Sequence, residues 1–456
     1  MSFSRSLLGL FLAGTSLASV TVEDPSDVID PADWAADNAL LADYNVAFPS
    51  TQPSDIIAGT SYVSESVAID HESFSVDAND TSVILVAEGA TFDGSYLDIL
   101  KFGYSSNLLY ASFWGFNAAI NVANASTANL DHVNITVHNG GANVYSYGTD
   151  TVVTVEDSWL YSSGPVSHGL YASGNGTVIG RNLQHYSGGY RSSSFSGDSP
   201  AGYVYVYDSV AHAAGVGSAT YYALGTIYAE NVLSVSEQGP VVFMDGVQNA
   251  TLVHCDATAG LLGGVVLFSS MDRQSGGRLE LVDSKITTVG DDVPGLWFGN
   301  TIVDVVINSS QVISPSGVLI VANYSQVTQD FDYYGGYPDN NNLQPAEVYA
   351  SVYESSLSGD LVPYNGSYIS FSLEQYSAWA GAAYAGYGVG LVDVSLSADS
   401  NWTLTADSTV QNLTDADASL ANIDSAGFTL YYNSTLNDWL DGQTISLTGG
   451  GSATPA

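Results

Sequence analysis

Positive charge is what the sequence most conspicuously lacks. Its 456 residues carry 7 Lys and Arg against 47 Asp and Glu, a formal charge of −40. Nucleic-acid binding works through a basic stripe that displaces phosphate counterions, and anionic membrane surfaces attract clustered Lys and Arg. Neither partner is therefore expected. Cys255 is the one cysteine, which excludes an intramolecular disulfide framework and reads as a small buried hydrophobe. Beyond the first 18 residues no apolar run is long enough to cross a bilayer. Disorder is excluded as well: charged residues make up only 12% of the chain, apolar ones 45%, and it contains 30 Tyr, 15 Phe and 7 Trp, whereas disordered acidic chains are poor in aromatics.

Residues 1–18 combine a basic residue, Arg5, with the run Leu7-Leu8-Gly9-Leu10-Phe11-Leu12-Ala13 and small residues at Ser16 and Ala18. That is the pattern of a cleaved secretory signal, and it is too short for a membrane anchor. A secreted, extracellular, monomeric product is expected. Residues 19–55 read as an N-terminal segment and cap, with a short helix at 30 to 45, and residues 448–456 as a flexible tail. Asn-x-Ser/Thr sequons stand at Asn79, Asn124, Asn134, Asn175, Asn249, Asn308, Asn323, Asn365, Asn401, Asn412 and Asn433. In a eukaryotic host these are the expected glycosylation sites, which requires them to face solvent.

From residue 56 to 447 short runs of Val, Ile, Leu, Tyr, Phe and Thr are divided by Gly, Asn, Asp or Ser, a pattern of short strands and turns. Aligning "HVNIT", "VEDSW", "GRNLQ", "VYDSV", "AENVL", "HCDAT", "LVDSK" and "VINSS" leaves Asn or Asp at one position: Asn134, Asp157, Asn182, Asp208, Asn231, Asp256, Asp283 and Asn308. The separations are 23, 25, 26, 23, 25, 27 and 25, which predicts a parallel β-solenoid with three strands per coil and roughly 15 coils. Asn and Asp tolerate the left-handed backbone of a tight corner. Their near-alternation also keeps carboxylates apart on coils that stack about 4.8 Å from one another, with Asp256 and Asp283 the exception.

A second register runs through Tyr171, Phe195, Tyr222, Phe243, Phe268, Trp297 and Ile320, read as an internal aromatic and aliphatic ladder. Near 326–346 an excursion loop rich in Asp, Asn, Gly and Tyr interrupts the repeat. The period returns in Trp379 and Trp402, separated by 23 residues, and the last part, "GFTLYYNSTLNDWLDGQTISL", reads as a closing strand pair.

The segments "HGLYASGNGTV", "GLLGGVVLFSSMDRQSGGRLELVDSKI", "SSLSGDLV" and "NWTLTADSTVQNLTD" resemble a family of secreted, adhesin-like, right-handed parallel β-helix proteins within the pectin-lyase-like superfamily, over about His168 to Leu447. The resemblance implies an all-β, single-stranded right-handed β-helix with an N-terminal cap. It carries no catalytic residues across. The function expected is an extracellular, adhesin-like scaffold that contacts cell wall, surface or polysaccharide; the alternative is a polysaccharide hydrolase or lyase with a cleft along one face.

Lyases on this fold need cations beside acids. Beyond Arg5 the cations are Lys101, Arg181, Arg191, Arg273, Arg278 and Lys285, and the grouping of Asp272, Arg273, Arg278, Asp283 and Lys285 reads as surface ion pairs. Glycoside hydrolysis needs two carboxyls, about 5 Å apart for retention and 6.5 to 9.5 Å for inversion. Asp198 and Asp245 fall two coils apart, roughly 10 Å along the axis, with Glu237 one strand before Asp245 and Arg191 on the preceding coil. Those four residues are the candidate catalytic set. Solvated turn acids are the plainer account of them, and the Asp-Asp, Gly-His-Gly and Arg-x-Lys pattern of polygalacturonases is missing. His168 sits at a coil entrance and His132 and His138 flank a strand. With no His-x-x-x-His or Cys-x-x-Cys spacing, no transition-metal site and no cofactor are expected; calcium, through "DYYGGYPDNNN" and the Asp row, stays open although the calcium-binding nonapeptide is missing.

Overall fold

The structure, a computed structural model, describes residues 59–105, 108–138, 140–270, 272–323, 342–364, 366–383 and 390–456. The signal, the N-terminal cap with its short helix, and residues 326–341 of the expected excursion loop lie outside these. Within the described residues the short β-rich runs form strands, some burying every second side chain, as in Val152–Glu156 and Thr177–Arg181, and others buried throughout, as in Leu170–Ser173. A strand that hides one edge of its pleat needs a partner over it, and here the partner is the same strand one turn later.

The result is an all-β parallel solenoid of about 15 turns, 55% strand and 2% helix. One turn comprises Val144–Tyr147, Val152–Glu156 and Trp159–Ser162, and the next Leu170–Ser173, Thr177–Arg181 and Gln184–Ser187. Each strand pairs in parallel with its successor: Val144 with Leu170, Val152 with Thr177, Trp159 with Gln184. The three stacks are the first, second and third faces. The first two form one 24-stranded sheet, continuous through Phe195–Tyr207 and Tyr221–Glu230, and the third is a ten-stranded sheet.

Inside runs a core column on the second face: Phe92, Ala128, Val153, Val178, Val204, Ile227, Ala250, Leu279 and Val305 stack in register. All are buried. Burying such columns at about 25 cal/mol per Å² is the main stabilising term of the rod. Trp379 and Trp402 continue the stacking at the far end, paired in register with ring centroids 4.8 Å apart and planes 14° from parallel.

The second and third faces meet at a left-handed corner. His71, Tyr96, His132, Asp157, Asn182, Asp208, Asn231, His254, Asp283, Ser309, Glu354 and Gln375 all hold φ between 47° and 57° there. From His71 to Ser309 the N–H of each bonds the carbonyl just before the next corner, as from His132 to Glu156 and from Asp157 to Arg181. Of the eight Asn and Asp residues aligned in the sequence, Asp157, Asn182, Asp208, Asn231 and Asp283 occupy this corner. The other three are corrected: Asn134 and Asp256 open the third-face strands two residues on, and Asn308 ends a second-face strand one residue early. His132, His254 and Ser309 hold their places.

Just past the corner lies a column of buried serines. The hydroxyls of Ser158, Ser209, Ser284, Ser310 and Ser355 accept the N–H of Val133, Leu183, Cys255, Ser284 and Ser310 in the adjacent turn. These hydroxyls satisfy backbone groups that the bend takes out of the ladder. Cys255 occupies one rung of this column and is buried, as expected.

The second register also needs correction. Phe195 and Ile320 stack with Leu170, Tyr221 and Leu296 in the main core, whereas Tyr171, Tyr222, Phe243 and Trp297 form the neighbouring row. Tyr222, Phe243, Val266 and Phe268 make a separate cluster outside the lumen, as do Tyr145 and Tyr171. A one-residue offset in a strand reverses the direction of the side chain. Helix α1, Leu108–Trp114, packs against the first face: Tyr145 and Ser173 donate hydroxyl bonds to the carbonyls of Ser112 (2.6 Å) and Phe113 (2.8 Å). Residues 448–456, read as a flexible tail, instead supply strand Ser452–Pro455, paired in parallel with Thr429–Tyr432. Among the described residues no helix is long and apolar enough to cross a membrane.

Candidate functional site

The four residues singled out in the sequence fall into two groups. Gly197 pairs with Ala172 and Ala223, and Ala223 with Met244. Asp198 and Asp245, one place further along, thus share an outward row on the first face, two turns apart and roughly 10 Å along the axis. Arg191 lies elsewhere, at the left-handed turn between the third and first faces, buried, with its N–H bonded to the carbonyl of Val216. Glu237 follows the third-face strand Leu233–Ser236 and accepts a bond from His212 Nε2 at 2.7 Å.

Asp198 is 3% exposed. Its Oδ2 accepts the Tyr171 hydroxyl at 2.5 Å and its Oδ1 the Ser199 N–H at 2.7 Å. Burial pushes the carboxyl up to about 7, against the pull of those two bonds and with the charge of Asp245 adding to the rise. Asp245 is raised by burial too, while bonds from Ser270 oppose the shift. His168 completes the cluster in a way the sequence hinted at only by position. Its Nδ1 lies 3.0 Å from Ser196 Oγ and 3.2 Å from the Ser193 carbonyl, and its ring is 4.3 Å from that of Tyr171. Burial holds it down to about 3, so it is neutral. A neutral imidazole, a hydroxyl and a carboxyl that titrates near neutrality are acid–base equipment, closed off here by burial.

A second feature escaped sequence reasoning altogether. In Phe195–Tyr207, Val204 and Val206 point into the core and Tyr203, Tyr205 and Tyr207 point outward, each partly exposed. Tyr228 lies in register with Tyr205 on the next turn, its ring 5.8 Å from that of Tyr207. Arg181 covers Tyr207 at 4.1 Å and approaches Glu156 at 3.6 Å. Further along the same face Tyr349 and Tyr368 stand 5.8 Å apart. Their hydroxyls and that of Tyr228 donate to Glu347, Asp393 and Glu230. The signal was present in the sequence as the alternating tyrosines of "GYVYVYDS", where period two places all three on one side.

The remaining cations disperse into local contacts. Arg273 pairs with Glu347 (2.9 Å), Arg278 with Glu280 (3.3 Å), and Lys285 with Asp256 (3.3 Å), while Asp272 accepts a bond from Asn342. Lys101 is buried, donates to the carbonyls of Ala78 and Gly103, and is brought down to about 8 by burial. His132 and His138 flank strand Asn134–Val137 as expected. Among the sequons Asn79, Asn124, Asn175, Asn249 and Asn401 are exposed and Asn134, Asn308, Asn323, Asn412 and Asn433 partly so. Asn365 and the "DYYGGYPDNNN" run up to residue 341 lie outside the described residues.

Comparison with known proteins identifies no relative: no family model matches the chain, no curated protein matches it, and no solved structure matches it.

Proposed function

We propose that the chain is a secreted, extracellular β-helix scaffold, adhesin-like in character, that contacts a glycan or cell-wall polymer through its tyrosine-bearing second face. The observation that carries this reading is the outward set Tyr203, Tyr205, Tyr207 and Tyr228 on one parallel sheet. Amphipathic phenol rings present an apolar body and a hydrogen-bonding tip, which suits the apolar faces and hydroxyls of sugar rings. A protein of net charge −40 repels polyuronates, so the polymer it fits is neutral. Export rests on the signal pattern of residues 1–18, and kinship with pectin-lyase-like proteins on the quoted segments together with the stacked turns. The exposed sequons would carry glycans of the protein's own.

The second reading is a polysaccharide hydrolase or lyase using Arg191, Asp198, Glu237 and Asp245. The shared row of Asp198 and Asp245 favours it; the burial of Asp198 and the separate positions of Arg191 and Glu237 favour the scaffold. A panel of insoluble cellulose, chitin and β-glucan, with soluble polygalacturonate alongside, separates them. The scaffold predicts saturable binding to a neutral polymer, weakened at least tenfold in Tyr205→Ser, with no reducing ends or unsaturated products. Products that disappear in Asp198→Asn would establish the enzyme. Absence of binding to every neutral polymer would remove the glycan-contacting role.

A further inference from the structure

We propose that Asp131, His132 and Asp157 bind a first-row divalent transition-metal ion such as Zn²⁺, independently of the tyrosine face. His132 and Asp157 occupy the left-handed corner on consecutive turns, and Asp131 ends the second-face strand before it. Each of the three side chains can place one ligand atom within 4.8 Å of the other two. Donors bound to zinc at 2.0–2.2 Å lie roughly 3 to 3.5 Å from one another, so closure takes about 1 Å of movement from side chains on the surface.

The surroundings favour that closure. The imidazole of His132 is stacked on Tyr96 (4.8 Å, 29°), which in turn stacks on His71. Its Nδ1 lies 2.9 Å from Asp131 Oδ1, close to the separation of two donors on one ion, so Nδ1 is the nitrogen placed to ligate. Asp157 is steadied by Asn182, whose amide donates to Oδ1 at 2.5 Å and leaves Oδ2 available. Charge points the same way. Asp131 stands in register with Glu156, next to Asp157, and Arg181, 3.6 Å from Glu156, offsets only part of that charge. Like charges one turn apart repel, and a divalent cation offsets that repulsion. A groove of about 360 Å³, lined by Asp93, Asn129, Asp131, Thr154 and Glu156, opens beside the group and gives an ion access. A nitrogen donor with two carboxylates suits zinc and its neighbours better than calcium or magnesium, which prefer oxygen alone.

The expected absence of a transition-metal site rests on short sequence spacings alone. A solenoid brings together residues one turn apart, so the partners of Asp131 and His132 lie 25 positions away. His254, 3.6 Å from Asp283, has one carboxylate and serves as a control.

Isothermal titration of the full chain with ZnCl₂ and with CaCl₂ tests the site. The expected result is one saturable Zn²⁺ site, weakened at least tenfold in His132→Asn and in Asp157→Asn and unchanged in His254→Asn. Asn already holds this corner at Asn182 and Asn231, so the variants keep the backbone, and circular dichroism checks it. Absence of a saturable Zn²⁺ site in the wild type, equal affinity in His132→Asn, or Ca²⁺ binding as tight as Zn²⁺ would each overturn the proposal. None of these outcomes touches polysaccharide binding by the tyrosines.

Discussion

His185 faces the lumen of the solenoid, between Leu160 and Ala211 in its column, and neither ring nitrogen has a hydrogen-bond partner. Burial, reinforced by His168 and His212, holds it down to about 3. A histidine depressed in the folded state contributes stability that is present above the free imidazole range near 6.5 and is lost as pH falls towards 3. His168 acts in the same direction. Asp198 acts in the opposite one: with its carboxyl raised to about 7, its contribution is full below about 4 and is lost as pH rises through 7. His185→Leu, which fits the aliphatic column, is expected to raise the melting temperature at pH 7 by several degrees and to flatten the acid limb of a melting-temperature–pH profile; an unchanged acid limb would reject this assignment. Asp198→Asn removes a contribution that grows as pH falls from about 7 to about 4, so the variant should lose stability more steeply over that span than the wild type. Cys255 was legible as buried, yet its membership of a serine column was not, because the alignment drew attention to the corner and not to the residue after it. Cys255→Ser should therefore cost less than about 1 kcal/mol in urea unfolding, where a cavity-forming loss of 2 kcal/mol or more would contradict the column.

At the scale of an element the corner is the unit that sequence reasoning reached first, and the pattern of its errors is instructive. Asp and Asn accept a positive φ more readily than most residues, so five true corners were found by residue type. Histidine shares that preference, so His132 and His254 fit the corner by type as well, whereas Ser309 holds the same backbone because the hydrogen bonds from the neighbouring turns impose it. The alternation of charge, in contrast, was legible and has a physical basis: Asn182 and Asn231 each donate an amide hydrogen bond to the carboxylate one turn below, Asp157 and Asp208, both at 2.5 Å. Once His254 replaces Asp256 at the corner, the apparent pair of adjacent acids disappears. Asn182→Asp would place three carboxylates on consecutive turns at about 4.8 Å spacing. The expected loss is about 1 kcal/mol in chemical denaturation at low salt, largely recovered in 0.5 M NaCl. A loss insensitive to salt would mean that the amide bond, not charge, sets the order of the row.

For the molecule as a whole, the period alone yielded the architecture, since an interval near 25 residues with short strands leaves little but a stacked coil. Which rows face outward could not be read with the same security, because a slip of one residue reverses a strand and the aromatic residues of the first face are buried on both sides. The same stacking makes net charge a property of the entire rod. Among the described residues Arg181, Arg273, Arg278 and Lys285 pair with carboxylates, so most of the 47 acidic residues have no basic partner. Successive turns lie closer together than the Debye length of about 10 Å at 0.1 M salt, and these charges therefore repel along the axis at low ionic strength. A protein held by surface ion pairs loses stability as salt rises; this one should gain it. Raising NaCl from 10 mM to 0.5 M at pH 7 is expected to increase the melting temperature by several degrees, with most of the gain complete by about 0.4 M, where the screening length reaches the spacing between turns. Sucrose at matched osmolality separates screening from solvent exclusion. If the melting temperature fell instead, the four ion pairs would outweigh the repulsion among the unpaired acids, and the alternation at the corner would lose its electrostatic explanation.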